Sequence, residues 1–139
     1  YPRYSNAAIT LGNTYFVYNN NIDSTIKYYK LSFDIYPYNP TTSLNLGRLY
    51  RDSKNNPQEA EFYFKYSIKA TPNYYEPYND LGALYFRTGQ YNLAAENFEK
   101  ANSLSPNNKL VLSNLAAVYT ELGDKEKANM YSALANSIR

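Results

Sequence analysis

Residues 75–108 read Tyr-Glu-Pro-Tyr-Asn-Asp-Leu-Gly-Ala-Leu-Tyr-Phe-Arg-Thr-Gly-Gln-Tyr-Asn-Leu-Ala-Ala-Glu-Asn-Phe-Glu-Lys-Ala-Asn-Ser-Leu-Ser-Pro-Asn-Asn. Tyr78, Leu81, Gly82 and Tyr85 recur at spacings of three and four, which puts them on one side of a helix. Gly89 predicts the end of that helix. Ala94, Phe98 and Ala101 form a second stripe with the same period. Pro106 closes the unit, because proline lacks the N–H that a continuing helix needs. The stretch therefore predicts helix, turn, helix, turn.

The same unit recurs in both directions. The Leu-Gly step stands at Leu11-Gly12, Leu46-Gly47 and Leu81-Gly82, and as Leu115-Ala116. A tyrosine follows at Tyr15, Tyr50, Tyr85 and Tyr119, and the closing proline falls at Pro2, Pro37, Pro72 and Pro106. All three series step by 35, 35 and 34 residues. No such hairpin buries its apolar face alone, so each needs its neighbours.

The order Tyr, Leu-Gly, Tyr, Gly, Ala, Phe, Ala, Pro within residues 75–108 resembles the tetratricopeptide repeat, and the resemblance covers essentially the whole chain. It implies an all-α fold: a right-handed superhelical α-solenoid of four helix-turn-helix hairpins. The hairpins are expected at about 5–39, 40–74, 75–108 and 109–139 in a single array over 1–139. Residues 1–4 are expected to be the end of a preceding repeat, since Tyr1-Pro2 matches Tyr36-Pro37. The first two turns, around Asn19-Asn20-Asn21 and Ser53-Lys54-Asn55-Asn56-Pro57, are each expected to hold one extra residue. Asn21 or Asp23 is expected to cap the helix after the first of them, and Asn56 with Pro57 the helix after the second. Ser132 replaces the aromatic found at Tyr29, Phe64 and Phe98, which suits a polar outer face on a last repeat near the natural C-terminus.

Composition narrows the chemistry. The 139 residues carry a net charge of +2, with no Cys and no His. So small a charge gives no electrostatic footprint for nucleic acid or a membrane surface, and neither is expected as a partner. Disulfides, thiolate nucleophiles and the commonest general base and metal ligand are all absent. No segment approaches the roughly 18 apolar residues of a membrane span. The chain has neither an initiating Met nor a signal peptide, and no Asn-X-Ser/Thr acceptor. A fragment of a cytoplasmic protein is expected. The 18 Tyr and 19 Asn are attributed to an AT-rich coding sequence rather than to an adhesive surface.

No phosphate-binding glycine loop or nucleophile elbow is present, and all five glycines fall at repeat steps or turns. Glu76 and Asp80 lie one helical turn apart, where acids in a first turn complement the helix dipole. No catalytic residue, metal or cofactor is expected, and the chain is read as not an enzyme.

The resemblance further implies that the first helix of each repeat lines a concave surface. The residues expected to bind a peptide or partner there are Asn13, Asn45, Arg48, Arg51, Glu76, Asn79, Asp80, Arg87 and Asn114. Asn45 and Asn114 precede the Leu-Gly step, with Asp80 at the same place between them. They resemble the asparagine ladder with which some family members hold a peptide backbone, although Asn is also simply common there. An amide both donates and accepts, as a peptide bond requires. The carboxylate clamp of chaperone-binding members is not expected: Asn13 and Asn45 fit it, but Ile9, Glu76 and Asp80 do not. The leading reading is a non-catalytic scaffold or adaptor that holds a peptide or partner helix. Alternatives are a substrate-recruiting arm of a larger enzyme such as a glycosyltransferase, and a self-associating scaffold.

Overall fold

The computed structural model describes residues 2–138. They form eight helices: α1 (Pro2–Asn19), α2 (Ile22–Ile35), α3 (Pro40–Asp52), α4 (Pro57–Ala70), α5 (Tyr75–Arg87), α6 (Tyr91–Leu104), α7 (Lys109–Glu121) and α8 (Lys125–Ser137). Consecutive helices pair as four hairpins. These fall into two compact units, one ending at Pro72 and the other beginning at Asn73. Within the first unit α2 packs on α3; within the second α6 packs on α7.

The turns explain the unequal spacing. Asn20, Asn55, Gly89 and Gly123 all adopt positive φ, at 45°, 48°, 74° and 77°. The residue after each donates its N–H to the recurring tyrosine's carbonyl: Asn21 to Tyr15, Asn56 to Tyr50, Gln90 to Tyr85 and Asp124 to Tyr119. In the second unit that bond joins residues five apart, the closure of a Schellman motif. In the first unit it joins residues six apart, so the extra residue lies inside the turn, as expected. Asparagine replaces glycine there because its short side chain tolerates the left-handed region.

Asparagine also starts the helices. Asn21 Oδ1 accepts from the Ser24 N–H at 2.9 Å, and Asn56 Oδ1 from the Glu59 N–H at 3.1 Å. Asn39 and Asn108 cap α3 and α7 in the same way. Each cap satisfies donors that the first turn of a helix leaves open. Residues 2–4 differ from expectation. They are the first described residues of α1. Proline is compatible with a helix start as well as a helix exit, since its missing N–H is one of those open donors.

Glycine sets the approach within three hairpins. A Cβ at Gly12, Gly47 or Gly82 would stand 2.7, 2.5 or 2.7 Å from the ring of Tyr29, Phe64 or Phe98 on the second helix. The recurring tyrosine adds a stacked pair in three hairpins: Tyr15–Tyr28, Tyr50–Tyr63 and Tyr119–Tyr131, with centroids 5.3, 5.6 and 5.8 Å apart. The cores of the two units differ. The second buries Ala94, Ala101, Val111, Leu115 and Val118. The first buries Ser5, Ser32 and Thr42, joined by hydroxyl hydrogen bonds of 2.8 and 3.0 Å.

Candidate functional site

Each unit has a pocket between its two first helices, floored by the aromatic residue of the intervening second helix. In the first unit Phe16, Tyr29, Asn45, Arg48 and Leu49 line about 280 Å3. In the second Ala83, Phe86, Arg87, Phe98, Asn114 and Ala117 line about 140 Å3. The two occupy the same places in the repeat. Phe16 corresponds to Phe86, Tyr29 to Phe98, and Asn45 to Asn114.

The glycine steps put these pockets where they are. Phe98 lies against Gly82, so its ring sits close to α5, and it lines the pocket together with Asn114 and Ala117 of α7. Tyr29 takes the same position over Gly12. Its hydroxyl donates to Asn13 Oδ1 and is also hydrogen-bonded to Asn45. Burial pushes the Tyr29 pKa up, and the Asn45 bond pulls against that. Phe98 has no hydroxyl, and Asn114 instead donates from Nδ2 to Asn79 Oδ1 at 2.8 Å.

The nine residues expected to bind a partner therefore divide. Asn45 and Arg48 share the first pocket; Arg87 and Asn114 share the second. Asn13 is exposed and tied to the first pocket through Tyr29. Arg51 turns aside, with Nε and Nη2 both 2.8 Å from the Asp52 carboxylate and its guanidinium 5.6 Å from the Phe64 ring centroid. Glu76 accepts from the Tyr74 hydroxyl at 2.6 Å. Asn79 and Asp80 are buried, only 8% and 7% exposed. Asn45 and Asn114 are half-buried and bonded within the protein, not turned freely to solvent as a ladder predicts. Tyr29 and Phe98 were assigned only to packing by the sequence, yet they form the floors. Their glycine partners at spacings of 17 and 16 residues are the signal that locates the rings.

Among the described residues no helix is long and apolar enough to cross a membrane. The family model of the tetratricopeptide repeat matches residues 75–108. The Arabidopsis thaliana protein "Protein CTR9 homolog" is 34% identical over 108 residues, which is 73% of this chain and 10% of that protein. The chain thus spans about a tenth of that relative's length. The crystal structure of MamA superposes with a TM-score of 0.86 at 25% identity, covering 93% of this chain and 74% of that one. The first TPR of Spaghetti (RPAP3), bound to the HSP90 peptide SRMEEVD, superposes with a TM-score of 0.81 at 24% identity, covering 88% and 96%. Matching turns, glycine–aromatic contacts and helix pairing lead to the same conclusion as these similarities: the chain is a tetratricopeptide repeat protein, built as an all-α solenoid of helical hairpins.

Proposed function

We propose that this chain is a non-catalytic interaction module that holds a peptide segment of a partner protein against its first helices. The observation that supports this is the recurrence of one pocket in both units, with an asparagine and aromatic rings at matching repeat positions and an arginine supplied from α3 in the first and α5 in the second. Recurrence at the same repeat position suits a polymer that presents the same backbone group again and again. An amide has two N–H donors and an acceptor oxygen, so Asn114 can keep its bond to Asn79 and still pair with a ligand backbone. Neither pocket is lined by a carboxylate, which fits binding better than acid–base catalysis. A solved structure with the same fold, that of RPAP3, holds a peptide, which supports the reading by analogy.

The test is a peptide selected from a displayed library and titrated into 15N-labelled protein. Binding is expected to shift amide resonances of residues 44–49 and 113–117. Changing Asn45 and Asn114 together to Ala is expected to weaken binding by about 1–3 kcal/mol. Shifts confined to α2, α4, α6 and α8 would refute the assignment.

A further inference from the structure

The pockets are alike in position but not in size. Phe16 and Phe86 hold the place just after the recurring tyrosine in the first and third hairpins, whereas Arg51 and Thr120 hold it in the second and fourth. An aromatic wall therefore appears once per unit. Phe16 is 48% exposed, so its ring is accessible at the pocket wall. Phe86 is braced edge-on by Tyr91, with ring centroids 5.5 Å apart, which makes it a preformed wall.

We propose that each pocket takes one apolar side chain of a bound polypeptide, and that this side chain stands beside an Asp or Glu. This rests on the peptide-binding reading above and specifies its ligand. Volume sets the kind of side chain. A cavity of about 150 Å3 holds benzene, so the second pocket, at about 140 Å3, fits a Leu, Met or Phe side chain. The first, at about 280 Å3, admits a Tyr or Trp, and its Tyr29 hydroxyl and Asn45 amide suit the polar tip of such a ring. Charge sets the neighbour. The ordinarily charged residue at each wall is an arginine, Arg48 in the first pocket and Arg87 in the second. A guanidinium has five N–H donors, so it can keep a partner within the protein and still receive a ligand carboxylate.

The experiment is selection of displayed random peptides against the intact chain, then titration of a selected peptide and its variants. Selected peptides are expected to place Leu, Met, Phe, Tyr or Trp next to Asp or Glu. Changing the apolar residue to Ser, or the acid to its amide, is expected to weaken binding by about tenfold or more. Ala117→Leu fills the second pocket from an exposed position, and it is expected to weaken binding by about tenfold with an unchanged melting temperature. Peptides that shift first-helix resonances without the apolar–acidic pairing, or that bind Ala117→Leu as tightly as the parent, overturn this proposal and leave the peptide-binding reading standing. Peptides that shift only second-helix resonances overturn both.

Discussion

Gly47→Ala tests the contact that shapes every hairpin with an aromatic second helix. A Cβ at position 47 would lie 2.5 Å from both Cδ1 and Cε1 of Phe64, and 3.1 Å from Cγ. Carbon atoms sit comfortably at about 3.5–4.0 Å, so the methyl overlaps the ring by about 1 Å. Phe64 is 0% exposed and has no room to swing outward. The helices must separate, at a cost of about 1–3 kcal/mol for an overpacked core. Against this, alanine is better than glycine inside a helix by about 0.5–1 kcal/mol. The expected result is a net loss of about 1–2 kcal/mol in urea unfolding. The decisive comparison repeats the change in a Phe64→Leu background. Without the ring the clash is gone, and Gly47→Ala should become neutral or stabilising. The fourth hairpin already carries that exchange, with Ala116 at the glycine position and Ser132 at the ring position. If Gly47→Ala stabilises the parent, or costs the same in both backgrounds, the glycine is not there for the ring.

Phe98→Ala removes a ring that is 2% exposed, and it should cost about 3–5 kcal/mol in denaturant unfolding; a loss under about 1 kcal/mol would show that the floor of the second pocket is not a core residue. Tyr63 is pushed up to about 12, by burial first and then by Tyr50, Glu59 and Asp34. A phenol with a raised folded pKa lends stability that is whole below its ordinary value of 10.0 and fades as pH rises from there toward 12, because the unfolded chain ionises first. Across that window Tyr63→Phe should lose less stability than the parent, and an equal loss would refute the assignment.

The hairpin pattern was legible because each recurring residue answers a steric demand that sequence spacing records. Glycine at 12, 47 and 82 must face a ring, and the ring lies on the next helix 16 or 17 residues along the chain. The start of α1 was not legible, because proline suits a helix entrance as well as an exit. Nor was the division after Pro72, since the same motifs continue across it. The tyrosine content had a structural use that counting alone could not show. Tyr15, Tyr50 and Tyr119 each stack on a tyrosine of the following helix, while in the third hairpin Asn97 holds the sequence position of that second tyrosine. Asparagine likewise serves as cap and left-handed turn residue before it serves any ligand.

The candidate site was legible only as far as repeat position reaches. Asn45 and Arg48 line one pocket, and Arg87 and Asn114 line the other. Repeat position could not give the direction of an amide, because that depends on one atom of a different helix. In the first unit the Tyr29 hydroxyl engages Asn13 and Asn45. In the second, phenylalanine replaces tyrosine, the hydroxyl is gone, and Asn114 turns to Asn79. A buried polar group takes whichever partner its neighbours supply, since leaving it unpaired costs about 1–3 kcal/mol. Two asparagines at the same repeat position therefore begin from different bonded states. The two pockets are thus equivalent in repeat position and distinct in chemistry: in one an amide is shared with a phenol, in the other with a second amide.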